Sequence, residues 1–208
     1  MSSAANFLVK GYRLFLVYLG ALFPRFLSAQ TWDHQYARGD WDVLSTDGVQ
    51  MGHHMIVLGY VLRSRASPRI LDVGCGAGPL YEYVQRLGLP FESYVGIDIS
   101  AEAIQKARRL ATGNTRFEAA DAQEFNPEET FDAIIFNEVA WYFKDPGEVL
   151  SRYAQRLREG GVIILSMYDM LPARAMWASV DRRFKTVDSV QVKSSIHTWN
   201  VRLLAKRT

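Results

Sequence analysis

Cysteine is nearly absent from this chain, because Cys75 is the only one among its 208 residues. A single thiol cannot form an internal disulfide, and it cannot supply the cluster of thiolates that a structural zinc site needs. A disulfide-stabilised fold and a zinc–thiolate site are therefore excluded. This cysteine usage is typical of a reducing compartment, so we expect a cytoplasmic protein.

The chain also lacks a concentration of positive charge. Its formal net charge is +2, and its 24 Lys and Arg residues are dispersed along the sequence. Arg152, Arg156 and Arg158 lie close together, and we interpret them as the solvated face of a helix. No basic stripe is available for a nucleic-acid backbone, so nucleic acid is not an expected partner.

No apolar run is long enough to cross a bilayer, which requires about 20 residues. The apolar run over residues 14–23 follows Lys10 and Arg13. We expect residues 1–30 to form an apolar helical arm that packs on its own domain or in a homodimer through residues 7–27. A signal peptide is one alternative. A helix that contacts the inner face of a membrane, or a lipid-linked substrate, is another.

From Arg69 onward, short apolar runs alternate with helical stretches. Runs rich in Val, Ile and Leu, separated by helices, predict a parallel sheet that is covered on both faces. Two further runs near the C-terminus have no helix between them and predict an antiparallel hairpin at the sheet edge. The predicted strands are 69–73, 94–98, 115–119, 131–136, 161–167, 184–192 and 196–205, and the predicted helices are 79–88, 101–111 and 146–158.

Polar residues and glycines follow the predicted strands. Gly74, Gly76 and Gly78 follow the first strand, where the absence of a Cβ lets a ligand approach the backbone. Asp98 ends the second strand and suits an acceptor for ribose hydroxyls. Later strands end in Asp121 with Ala122, Asn137 with Glu138, and Tyr168 with Asp169. Ligands of open α/β sheets bind at the carboxyl ends of the strands, so we expect one binding edge.

The segment before the first strand is rich in aromatic residues. The spacing of Trp32, Tyr36 and Trp41 is compatible with a helical turn that breaks near Gly39. Their rings either close over a ligand or cap the core. Residues 51–62 have helical apolar spacing. His53 and His54 lie at the start of that helix, where consecutive side chains should point in different directions. Either imidazole is a candidate general base or a structural residue.

Five phrases, LDVGCGAG, GIDIS, AADAQEF, FDAIIFNEV and EGGVIILS, together resemble class I S-adenosylmethionine-dependent methyltransferases over residues 69–170. The phrases WDVL, FNEVAWYF and SMY are similar to a bacterial subgroup of small methyltransferases, some of which modify sugars or polysaccharide precursors. The resemblance implies a Rossmann-like, seven-stranded, mostly parallel α/β sheet with an antiparallel C-terminal hairpin. It also implies one methyltransferase domain over 31–208, with lid and substrate-side helices in 31–66 and the cofactor-binding sheet in 67–208.

The resemblance also implies a cofactor, S-adenosyl-L-methionine, with S-adenosyl-L-homocysteine as the product. In that family pattern, the methionine portion is lined by Asp72, Gly74, Gly76 and Gly78. Asp98 would accept from the ribose hydroxyls, Ile99 would pack on the adenine, Asp121 and Ala122 would contact the adenine edge, and Asn137 would face the methionine portion.

Direct transfer from a sulfonium requires no metal, so the acceptor side needs alignment and, for a hydroxyl, a base. The candidate catalytic residues are His53, His54, Glu138 and Asp169. The candidate substrate-binding residues are Tyr36, Trp41, Trp141, Tyr142 and Tyr168. We expect a small-molecule or glycan substrate and O-methylation of a sugar hydroxyl. The alternatives are N-methylation of an amino sugar or small amine, and a non-catalytic methyltransferase-like binding partner.

Overall fold

The computed structural model of the protein describes residues 28–42, 44, 48–194 and 197–207. Its strands are β1 (Arg69–Val73), β2 (Ser93–Asp98), β3 (Thr115–Ala119), β4 (Phe131–Asn137), β5 (Leu157–Tyr168), β6 (Phe184–Lys193) and β7 (Thr198–Lys206). They form one seven-stranded sheet in the order β3-β2-β1-β4-β5-β7-β6. The first five strands are parallel, and β7 pairs antiparallel with both β5 and β6. The predicted fold class is confirmed.

Six α-helices surround the sheet in the described part of the chain. They are α1 (Ala29–Ala37), α2 (Gly48–Ser64), α3 (Pro79–Arg86), α4 (Ala101–Arg108), α5 (Pro146–Ala154) and α6 (Leu171–Asp181), with one 3₁₀ turn at Ala140–Tyr142. Side-chain caps explain where α4 and α5 begin. Ser100 accepts from the N–H of Ala103 in α4, and Asp145 accepts from the N–H of Glu148 in α5.

Helix α6 was not predicted from the sequence. Its first residue is preceded by Met170, whose side chain makes no capping hydrogen bond, so a side-chain cap is missing, although a proline lies in the first turn. Its buried apolar residues nevertheless lie at i, i+3, i+4 and i+7, namely Ala173, Met176, Trp177 and Val180. That helical spacing could have identified the element.

The core has two parts, one on each face of the sheet. Ile134 and Phe136 of β4 pack with α5 and α6 on one face. Ala133 and Ile135 pack with α2 and α3 on the other. Because both faces are covered, β4 is an almost continuous apolar run, and its first half-buried residue is Asn137 at its carboxyl end.

The interpretation of Arg152, Arg156 and Arg158 as a solvated face was wrong. All three are half-buried and bonded within the protein. Arg152 Nη2 donates to the carbonyl of Ala122 at 2.7 Å, and Arg156 donates to Asn126 at 2.9 Å. Arg158 donates to the buried carboxylate of Asp132 at 3.2 Å. Sequence spacing did not show these partners because they lie on other elements.

No helix in the described ranges is long and apolar enough to span a membrane. Residues 7–27 lie outside those ranges, so the expectations for the apolar arm stay predictions.

Candidate active site

The glycine turn after β1 has a left-handed backbone. Gly74, Gly76 and Gly78 have φ values of 75°, 54° and 87°. The N–H groups of Gly74 and Cys75 donate to the carbonyl of Ile97 at 2.8 and 2.9 Å, which ties the turn to the end of β2. A Cβ at Gly76 would lie 2.6 Å from the Tyr36 hydroxyl. Glycine is therefore required both by the backbone conformation and by the close neighbour.

Asp98 lies at the end of β2, directly beside this turn. Its Oδ2 accepts from the N–H of Gly76, and its Oδ1 accepts from that of Ser100, both at 2.9 Å. Burial raises the pKa of Asp98 to about 6, although backbone hydrogen bonds from Ser100, Gly76 and Ile99 act in the opposite direction. Each carboxylate oxygen has a second lone pair, so the group can also accept from a vicinal diol.

Asp72 lies in the interior below the turn. The hydroxyl of Tyr94 donates to its Oδ2 at 2.6 Å, and the residue is 1% exposed. Burial raises the pKa of Asp72 to about 7. The structure therefore places this carboxyl in the core, beneath the surface of the glycine turn.

The loop after β3 is held by helix α5. Asp121 Oδ1 accepts from the N–H of Gln123 at 2.8 Å. The carbonyl of Ala122 accepts from Tyr153 Oη at 2.9 Å and from Arg152 Nη2 at 2.7 Å. Ile99 lies half-buried in the bend after β2. These residues thus follow neighbouring strands, β2 and β3, at the same edge of the sheet.

Helix α1 covers the glycine turn. Asp33 Oδ1 accepts from Ser100 Oγ at 2.7 Å and from the N–H of Glu102 at 3.1 Å, so it provides a second cap for α4. Lys106 Nζ donates to the carbonyl of Tyr36 at 2.8 Å. Sequence reasoning missed Asp33, and no local pattern marks it, because its partners are 67 and 69 residues away.

Ring contacts link four of the five aromatic residues proposed as an acceptor wall, because Trp32 of α1 joins the pair Tyr36–Trp41 to the pair Trp141–Tyr142, and Tyr168 lies apart from them. Tyr36 is 7% exposed and lies against Gly76, on the side of the glycine turn. Trp41 lies beside Tyr36, and its Nε1 donates to Gln35 Oε1 at 2.9 Å. Trp141 is 5% exposed within the core, which leaves little of its ring for a ligand.

Tyr142 and Tyr168 remain close to the ends of β4 and β5. Trp32 of α1 makes an edge-to-face contact with Tyr142, with centroids 5.3 Å apart. The hydroxyl of Tyr168 lies 3.0 Å from His197 Nδ1, and the Tyr168 ring contacts Trp199. The sequence analysis did not select His197 or Trp199, since β7 pairs with β5 only in the folded sheet.

Glu138 follows β4 in an unusual conformation. It is the one non-glycine residue with positive φ in the described part of the chain, at 59°. Its Oε1 is shielded from solvent and finds no hydrogen-bond partner among the described residues. Burial raises its pKa well above the ordinary range for glutamate, against a hydrogen bond from the N–H of Tyr168. Backbone strain and an unpaired, buried side-chain oxygen thus coincide in one residue.

His53 and His54 are both buried, with ring centroids 4.3 Å apart, so the two rings do not diverge as expected. His54 Nε2 lies 3.1 Å from Asn137 Nδ2. His53 stacks on Trp199 of β7 at 4.6 Å. Burial lowers the pKa of His54 to about 4 and lowers that of His53 well below its usual value, so both rings are neutral at pH 7.

Asp169, the remaining candidate base, is exposed. Its backbone N–H donates to the carbonyl of Thr198 at 2.7 Å. Within the described ranges, no three acidic, His or Cys side chains are arranged to hold a metal ion.

A family model described as a methyltransferase domain matches residues 56–204, from the middle of α2 to β7. The chain belongs to this family. Its methyl donor is S-adenosylmethionine, and the residues around the glycine turn fit that group. The turn allows close backbone approach, and Asp98 has free lone pairs for a diol.

Two curated relatives of this methyltransferase are ubiquinone biosynthesis O-methyltransferases. The one from a Bradyrhizobium species is 37% identical over 101 residues, which cover 47% of this chain and 39% of the relative. The one from Xanthomonas campestris is 30% identical over 154 residues, which cover 69% of this chain and 62% of the relative. The chain thus spans about two fifths to three fifths of these curated relatives.

A solved structure supports the fold of the methyltransferase. The N-methyltransferase NodS from Bradyrhizobium japonicum, in complex with S-adenosyl-L-homocysteine, superposes with a TM-score of 0.71 at 21% identity. The match covers 86% of this chain and 98% of NodS. At this identity, the likeness concerns the fold alone.

Proposed function

We propose that this methyltransferase binds S-adenosylmethionine at the glycine turn and transfers a methyl group to a hydroxyl of a small molecule, with a sugar hydroxyl as the leading candidate. The observation that carries the proposal is the contact between the left-handed turn and Asp98 at the ends of β1 and β2. The cofactor, when bound, supplies a methyl group already activated on a positively charged sulfur.

The residues of the chain then have three tasks. Asp98 binds the ribose hydroxyls, while the loop at Asp121 and Ala122 contacts the adenine. Helix α1 covers the turn with Tyr36, which is 7% exposed, and so excludes water from this side of the site. The end of β4, with Asn137 and Glu138, lies next to β1 in the sheet and is the place for the acceptor.

The side chains near that place support an uncharged, hydroxyl-bearing acceptor. Asn137 is an amide, and His53 and His54 are neutral. Tyr142 and Tyr168 are half-buried aromatic residues, whose faces pack well against sugar rings and flat phenols. The curated relatives are named as O-methyltransferases, which supports oxygen over nitrogen as the methylated atom.

Calorimetry with S-adenosylhomocysteine tests the cofactor half of the proposal. The wild-type chain should bind, and Asp98→Ala should bind roughly 10 to 100 times more weakly, since hydrogen bonds to a charged group contribute about 1.5–3 kcal/mol. Glu159→Ala, an exposed acidic residue in β5, is the matched control and should bind like wild type. Absence of heat with wild type at near-millimolar ligand would contradict the proposal.

A panel of acceptors tests the other half. Wild-type protein is incubated with S-adenosylmethionine and methyl glycosides, catechol or glucosamine, and the products are identified by mass spectrometry. We expect methyl ethers of the hydroxyl compounds. Methylation of glucosamine at nitrogen alone would favour the amine alternative. Cofactor binding without any methylated product across the panel would favour the non-catalytic alternative.

A further inference from the structure

The backbone at the end of β4 holds Glu138 in an unfavourable conformation. A left-handed φ of 59° is unfavourable for a residue with a Cβ, and such strain persists where the surroundings impose it, often at functional sites. The N–H of Glu138 donates to the carbonyl of Ser166 at 2.9 Å, which anchors the strained peptide to β5. A glycine or asparagine would adopt this conformation more easily.

The side chain adds a second cost. Its Oε1 is shielded from solvent with no partner among the described residues, while the carboxyl accepts only the N–H of Tyr168 there. An unsatisfied buried carboxyl destabilises the folded state, and a catalytic role is one of the reasons for which such a group is retained. A donor on the acceptor molecule would complete this hydrogen bond.

The other candidate bases are less suited by their contacts. His54 Nε2 lies 3.1 Å from the amide nitrogen of Asn137, so this ring nitrogen already has a partner within the protein. His53 is stacked against Trp199 and is 1% exposed. Asp169 is exposed, so its carboxylate is solvated.

We propose, on the basis of the function proposed above, that Glu138 is the general base that takes the proton of the acceptor hydroxyl. The O–H bond of the acceptor breaks and its proton passes to the carboxylate. At the same time the new O–C bond forms, and the C–S bond breaks with its electron pair remaining on sulfur. Glu138 then returns the proton to water when the product leaves.

The groups that face Glu138 allow the pH dependence of the rate to be assigned to its carboxyl. Tyr142 of the 3₁₀ turn and Tyr168 of β5 are phenols, and Asn137, which precedes Glu138 in the chain, contacts the neutral His54 on α2. Trp32 of α1, which packs on Tyr142, does not titrate. Since burial raises the pKa of Glu138, the rate should rise with pH as this carboxyl ionises and then level off.

The first test compares Glu138→Gln with wild type on the hydroxyl compound that wild type methylates. General-base catalysis contributes about 100- to 10,000-fold, so kcat should fall at least 100-fold and lose its dependence on pH. Glu159→Gln, the same substitution at an exposed glutamate, is the control and should keep the wild-type rate. An activity of Glu138→Gln within threefold of wild type would overturn the inference.

The second test does not depend on turnover. Calorimetry should show S-adenosylhomocysteine affinity within twofold of wild type for Glu138→Gln, and the midpoint of thermal unfolding should be equal or higher. Glu138→Gly, which relieves the backbone strain, should unfold at a higher temperature than wild type. Lower midpoints and lost cofactor affinity in both variants would show a structural role and overturn the inference. Failure of wild type to bind S-adenosylhomocysteine would instead overturn the proposed function.

Discussion

At the scale of single residues, removal from water governs the chemistry of this site. The same physical cause moves the pKa of Asp98 up to about 6 and the pKa of His54 down to about 4, because each group is shifted toward its uncharged form. His54 and His53 therefore provide neutral polar surface at pH 7. Their contribution to the stability of the fold must then depend on pH.

We predict that His54→Gln reduces the loss of stability that accompanies acidification. The folded pKa of His54, about 4, lies below its ordinary value of 6.5, so its stabilising effect is complete above pH 6.5 and is lost as pH falls toward 4. Between pH 7 and pH 5 the wild-type chain should lose about 1–2 kcal/mol more than the variant. Urea unfolding at both pH values measures the difference.

Comparing the two proteins removes the opposite contributions of Asp72 and Asp98, whose raised pKa values favour the folded state at lower pH. Equal losses in wild type and His54→Gln would show that His54 is not held neutral by burial.

At the scale of elements, α1 is attached to the rest of the site through α4. Asp33 caps the N-terminus of α4, and Lys106 on α4 binds the carbonyl of Tyr36 and, at 2.8 Å, the carboxylate of Asp42. The attachment is polar and partly exposed, whereas the sheet is held by a continuous apolar core. Helix α1 should therefore open without unfolding of the sheet.

We predict that Asp33→Ala increases hydrogen exchange in residues 29–37 about fivefold, as expected for loss of about 1 kcal/mol at a helix cap. Amides of β1 and β4 should exchange as in wild type. Asp40→Ala, which removes a carboxylate bonded locally to Arg38, is the matched control and should leave α1 exchange unchanged. Faster exchange throughout the sheet would contradict a local opening.

At the scale of the whole molecule, the matched family domain covers residues 56–204, so the first 55 residues lie outside the match. Within them, α1 covers the glycine turn, and residues 14–23 form the apolar run of the sequence. One domain over 31–208 and membrane contact by the arm both stay predictions.

Membrane contact by the apolar run, the alternative to packing on the domain or in a homodimer, predicts that the full chain co-sediments with vesicles of anionic phospholipid. The double substitution Leu16→Asp and Phe23→Asp should release it, because each change places a charge in the apolar run. Lys144→Asp, an exposed site outside the arm, controls for the change of net charge. Equal and negligible pelleting of wild type and both variants would contradict contact with the membrane.

The local sequence pattern was sufficient to predict the strands of the sheet. The predicted bounds of 69–73 agree with β1, because a strand covered on both faces must be apolar and a turn with positive φ requires glycine. The predicted bounds of 115–119 agree with β3, an edge strand in which only Phe117 is buried. The same reasoning placed Gly74, Gly76, Gly78 and Asp98 at one edge. Those relations depend on residues close in sequence and on one general rule of parallel sheets.

Only the tertiary structure decided which side chains meet. It placed Tyr36 on the glycine turn, Trp141 in the core, Arg152 on the loop after β3, and His53 against a ring of β7. The backbone strain at Glu138 could not be predicted either, because a glutamate in the sequence does not indicate a φ of 59°. Periodicity reports which face of an element is buried, whereas partners from distant elements, and the burial that shifts a pKa, exist only after the chain has folded.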